Sequence, residues 1–258
     1  MRAKGFRDLL ATVVGLSFIG SAAVVQAQDA ELPFTPVLTI GNTTLVNDQV
    51  FENADGSFSM LGNQQGGGVA GQPVWDLTWD LVMNQDPLIG GSLTLTNLST
   101  TTRSFNIQFL LPVTPALSAS VFGGMIRATL VDFNRNGSAA LAPIGVSPSI
   151  FRGTIDGVNV LSLLAANLGC FGSGAGCMAI GMDEDGLPGP NPTISGPAVN
   201  SAIGIFLNFS LSPGDRVTIN TTFMVESPSA VPVPAALPLL LSGLGALVLR
   251  RRRLTRTN

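Results

Sequence analysis

Two cysteines and a handful of acids are the residues here whose types and spacing could do chemistry. Cys170 and Cys177 enclose residues 171–176, three of them glycine. A loop that short and pliant brings two thiols together, so a disulfide is expected in an oxidising compartment. Two thiols are too few ligands for zinc, and the chain has no histidine to complete a set. Asp132-Phe133-Asn134-Arg135-Asn136-Gly137 copies the opening of a calcium loop, with oxygen-bearing side chains at the first, third and fifth positions and glycine at the sixth. Pro143 stands at the twelfth, where a bidentate glutamate belongs. Asn136-Gly137 is therefore expected to be a hairpin turn. Asp183-Glu184-Asp185, followed by a glycine- and proline-rich stretch, reads as a solvated acidic loop. No metal site is expected, and Asp132, Asn134, Asn136, Asp183 and Asp185 are the residues that come nearest to one. Asp76 and Asp80 on one strand face would stand about 13 Å apart at ~3.3 Å per residue. That exceeds the ~5 to 9.5 Å needed for glycoside hydrolysis, so both are read as solvent-facing charges.

Composition removes most of the remaining chemistry. Among 258 residues there is no histidine and no tyrosine, which excludes Ser-His-Asp and Cys-His nucleophile systems and histidine proton shuttles. Gly66-Gly67-Gly68 lacks the lysine and the strand-to-helix setting of a phosphate loop and reads as a connector. No cofactor and no catalytic residue is expected; the chain is read as not an enzyme, a hydrolase relying on Asp and Glu alone being the third choice. Arg2, Lys4, Arg7, Arg250, Arg251, Arg252, Arg253 and Arg256 crowd the two ends, leaving five basic against fifteen acidic residues over 28–249. A body of net charge −10 repels nucleic acid and anionic lipid.

The elements that must position these residues alternate with period two, as strands buried on one face do. Trp75, Leu77, Trp79 and Leu81 are apolar between polar Asp76, Thr78 and Asp80, so both tryptophans are expected in the core. Leu93, Leu95 and Leu98; Phe105, Ile107, Phe109 and Leu111; Ile203 to Leu211; and Val217 to Val225 repeat the rhythm. Turn residues lie between such segments: Asp55-Gly56, Asn136-Gly137, Asp156-Gly157, Asp185-Gly186 and Pro213-Gly214-Asp215. Residues 92–98 with 103–111, around Ser99-Thr100-Thr101-Thr102, are expected to form one hairpin, and 203–211 with 217–225 a second. Residues 158–168 are the single helix candidate of the body. The expected fold is all-β: an antiparallel β-sandwich of jelly-roll or Ig-like type over residues 28–226.

The ends read differently. Arg2, Lys4 and Arg7, an apolar run over 9–25, and small residues at Val25 and Ala27 make residues 1–27 a signal peptide cut between Ala27 and Gln28. Retention as an anchor is the alternative, weakened by Gly15 and Gly20. At the other end, residues 227–234 form a linker with a proline motif, and residues 235–253 an apolar helix with an arginine cluster. As a helix, residues 235–249 would span about 22 Å, short of a ~30 Å hydrocarbon core. The arginines are expected to stay cytoplasmic, placing the body across the membrane.

Val231-Pro232-Val233-Pro234-Ala235, the apolar stretch after it and Arg250-Arg251-Arg252-Arg253 together resemble the PEP-CTERM class of bacterial sorting tails, in the variant written Val-Pro-Leu-Pro-Ala. Val233 stands where the commonest form has glutamate. The resemblance covers about 23 residues. It implies that an exosortase-type protease cuts near the proline motif and releases the body to the cell surface or the exterior, where extracellular polysaccharide is a partner. It implies nothing about what the body binds. The alternative function is a carbohydrate- or calcium-dependent adhesive module using loops at one end of the sandwich.

Overall fold

Strict alternation of apolar and polar side chains builds nearly every element. The computed structural model describes residues 37–45, 49–68, 71–84, 86–145, 148–172 and 176–228. The signal segment with Ala27 and Gln28, and the tail with Val231 to Ala235 and Arg250 to Arg253, lie outside the described residues. All elements among those described are strands: β1 (Val37–Ile40), β2 (Thr43–Thr44), β3 (Gln49–Glu52), β4 (Phe58–Gly66), β5 (Trp75–Asn84), β6 (Leu88–Asn97), β7 (Arg103–Pro112) and β8 (Ser120–Val131) come first. They are followed by β9 (Ser138–Pro143), β10 (Phe151–Ile155), β11 (Val158–Leu163), β12 (Leu168–Phe171), β13 (Met178–Asp185), β14 (Ile194–Gly196), β15 (Ala202–Leu211) and β16 (Arg216–Glu226).

The strands make two antiparallel sheets. One runs β11-β10-β15-β7-β1-β2, with β9 beside β15 and β12 beside β9; the other runs β13-β8-β16-β6-β5-β4-β3, with β14 beside β8. Their inward rows share one core, consistent with the expected β-sandwich. Phe151 of the first sheet meets Phe223 of the second edge-on, ring centroids 6.5 Å apart. Gly153 makes room: a Cβ there would lie 2.6 Å from the Phe223 ring. On β5 the inward row is Trp75, Leu77, Trp79, Leu81 and Met83, all buried, so both tryptophans are core residues as expected. Across the β4–β5 ladder Gly62 faces Trp79 and Gly66 faces Trp75, and each indole occupies the space a side chain on the glycine would need. Gly66 is thus a strand residue that seats an aromatic ring, while Gly67 and Gly68 belong to the connection.

Several local expectations are corrected. Neither expected hairpin forms. β6 lies between β5 and β16 in one sheet while β7 lies between β1 and β15 in the other, and β15 and β16 are divided in the same way. Both connections therefore cross the sandwich. Asn136-Gly137, expected to close a hairpin, also crosses, from β8 to β9. Residues 158–168, expected to be helical, form β11 and β12; β-branched Val158 and Val160 suit a strand, and the Asp156-Gly157 turn, both residues at positive φ, folds β11 back on β10. The acids expected in a loop, Asp183, Glu184 and Asp185, end β13, paired to Ile126, Met125 and Gly124. The Asp156-Gly157 turn and the Cys170–Cys177 disulfide, its Cα atoms 5.7 Å apart, form as expected.

Candidate functional site: a stitched loop cluster at one sheet end

Three strands of the second sheet stop in register. Val131, Arg216 and Thr96 form one row across β8, β16 and β6, and Met178 opens β13 beside Val131. The connections leaving this end, 98–102, 132–137 and 212–215, gather into a cluster held by named bonds, with Gly172 and Cys177 bonded to it.

Asn97, fully buried, is its centre. Its side-chain amide donates to the carbonyls of Leu211 (2.9 Å), Ser212 (3.1 Å) and Thr101 (2.9 Å). Its Oδ1 accepts from the Ser99 amide at 3.1 Å and from the Ser99 hydroxyl at 2.7 Å. Its own amide donates to the Asp215 carbonyl, and its carbonyl accepts from the Gly214 amide. One residue therefore ties the β6–β7 connection to the β15–β16 connection.

Asp132 organises the second loop. It continues the inward row of Ile126, Ala128 and Leu130 and is 2% exposed. Oδ1 accepts from the Asn136 amide at 3.0 Å and Oδ2 from the Gly137 amide at 2.9 Å, with Arg135 at a positive φ of 60° to make the bend. The loop docks on its neighbours: the Asp132 amide donates to the Cys177 carbonyl and the Gly172 amide to the Gly137 carbonyl, each at 2.9 Å. Asn134 donates to the Pro213 carbonyl at 2.7 Å. The disulfide thus braces the loop that carries Asp132. On the outer face the Arg216 guanidinium lies 3.7 Å from the centre of the Phe133 ring, while its Nε donates to Thr96 Oγ1 at 3.0 Å.

Asp215 completes the arrangement. It begins the inward row of Val217, Ile219 and Phe223 and is 0% exposed. Ser212 donates to its Oδ2, and Oδ1 has no hydrogen-bond partner. Burial pushes its carboxyl up; the Ser212 hydroxyl pulls it back, the charge on Asp132 adds to the upward push and the Phe133 amide opposes it, leaving the group above the ordinary carboxylate range.

The other acids are placed apart from this cluster. Asp183 accepts from the Leu164 amide at 2.7 Å and anchors the end of β11. Asp76 accepts from Gln65 at 2.7 Å on the solvent side of β5, and Asp80 is exposed. Asp156 gathers the Asn200, Ser201 and Ala202 amides with the Asn200 and Ser201 side chains. Burial pushes its carboxyl up, but these donors outweigh that and hold it well below the usual carboxylate range. Its role is to fasten the β10–β11 turn to the start of β15. Among the described residues no three of Cys, Asp and Glu converge as a metal-binding group.

The sequence reading singled out Asp132, Asn134 and Asn136 but missed Asn97, Asp215 and Arg216. Parity was the available signal for Asp215: an acid that extends the apolar side of a period-two strand points inward. No protein-family model matches the chain, and no curated protein matches it in sequence.

Proposed function

We propose that the chain is an exported structural or interaction protein of the bacterial cell surface or extracellular matrix. A signal peptidase removes residues 1–27 and an exosortase-type protease acts at Val231-Pro232-Val233-Pro234-Ala235. The two-sheet body is read as a jelly-roll or Ig-like sandwich, and residues 235–253 as a transmembrane helix held at the inner membrane by Arg250 to Arg253. One observation carries the reading: proline motif, marginal apolar stretch and tetra-arginine stop follow one another without interruption. The Cys170–Cys177 disulfide supports an oxidising destination. The absence of histidine and a body charge of −10 support a role without catalysis and without nucleic acid.

Deleting residues 231–258 tests this reading. The truncated chain is expected to leave its usual surface or medium fraction for the periplasm; an unchanged distribution refutes sorting by the tail. The convergence of three connections on Asn97 and Asp132 favours a second reading, adhesion to carbohydrate or with calcium through that end. Calorimetric titration with extracellular polysaccharide separates the two, since a structural role is expected to give no heat.

A further inference from the structure

The last interior row of the second sheet holds two acids facing each other. Val131 pairs with Arg216 at the end of the antiparallel ladder, and carrying that register one position further sets Asp132 opposite Asp215, whose carboxyl feels the Asp132 charge. Cβ atoms at such positions are about 4.5–5.5 Å apart. Both side chains follow the inward parity of Leu130 and Val217, and they are 2% and 0% exposed. Like charges directly opposite on neighbouring strands destabilise a sheet, and buried charges require a partner. Arg216, next in sequence, has the opposite parity and is committed to Phe133 and Thr96.

We propose that Asp132 and Asp215 are the floor of a site for one divalent cation of calcium type. The unpartnered Asp215 Oδ1, wholly buried, is the observation that points to a ligand. A proton on Oδ1 donated to Asp132 would satisfy that atom with one charge left on the pair; a hard cation satisfies it with both carboxylates ionised, and the test below separates the two. Such ions take six to eight oxygens, carbonyls and hydroxyls among them. Around the two carboxylates stand the Ser212 hydroxyl at Oδ2 and the Asn134 amide oxygen, which accepts one bond from the Asn136 amide and keeps a lone pair. The side chain of Asn134 is itself held against residues 213–214. Pro143, where the familiar calcium loop has glutamate, is no obstacle, because Asp215 supplies the second carboxylate from another strand. The site stands whether or not the chain is sorted by its tail.

The test is titration of the full chain in non-ionic detergent with calcium chloride, read by calorimetry and by melting temperature against EDTA. One calcium per chain and a higher melting temperature in calcium are expected. In Asp215→Asn, calcium affinity is expected to fall at least tenfold, while the variant melts in EDTA no lower than the parent because one of two opposed charges is gone. Absence of heat in the parent, with equal melting in calcium and EDTA, overturns the proposal and leaves the pair sharing a proton. Uptake of unchanged affinity in both Asp215→Asn and Asp132→Asn overturns the placement. Should either variant fail to fold, the parent's response to calcium still decides whether the ion binds.

Discussion

The side-chain amide of Asn97 donates to the carbonyls of Thr101, Leu211 and Ser212, the Leu211 bond being wholly buried, so its loss removes the donor of a buried acceptor and frees the two connections from each other. At about 1–3 kcal/mol for an unsatisfied buried group, Asn97→Ala is expected to lower unfolding stability by about 2–4 kcal/mol, read as a drop in the urea midpoint. Asp156 gives a pH-dependent counterpart. Its carboxyl is held low in the folded protein, so the contribution of its ionised form is present above the unfolded carboxylate value and is lost as pH falls toward the folded one. Melting temperature measured from pH 7 down to pH 2 is expected to fall less steeply in Asp156→Asn than in the parent. Asp215 has the opposite sign: raised in the folded state, its ionised form costs stability at neutral pH, and acid relieves that cost. Such residues were only partly legible in the sequence. Asp132 announced itself through its neighbours at alternating positions, whereas Asn97 and Asp215 act on partners distant in the chain and carry no local spacing.

Strand existence was readable because half-burial imposes a period of two; strand partnership was not. Ser99 to Thr102 and Pro213 to Asp215 have the residues of tight reversals, and the chain does reverse there. Whether it returns within its sheet or enters the other depends on which strands flank β6, β7, β15 and β16, and no turn residue encodes that. Residues 158–168 were ambiguous for a different reason: Val158, Val160, Leu161, Leu163 and Leu164 fit a helical stripe as well as a strand. Element packing also makes the glycines unequal. Gly62→Ala places a Cβ inside the Trp79 indole and is expected to cost about 1–3 kcal/mol through overpacking. Gly189→Ala meets nothing within 4 Å and is expected to change stability by less than about 0.5 kcal/mol. Paired chemical denaturation curves of the two variants check the contrast. Replacing Cys170 and Cys177 together by serine is expected to lose roughly 2.5 kcal/mol on the chain-entropy estimate for a loop of about eight residues.

For the molecule as a whole, the body and the ends pose separate questions. The strands from Val37 to Glu226 supply a loop-stitched two-sheet scaffold; in the function proposed above, residues 1–27 and 227–253 set where it goes. The most direct measurement is the intact mass of the protein recovered from medium and from membranes of the producing cells. The expected mature species in the medium begins at Gln28, ends between residues 231 and 235, and lacks Arg250 to Arg253. Recovery in every fraction only of chains that retain those four arginines would contradict sorting and leave the tail as a permanent anchor.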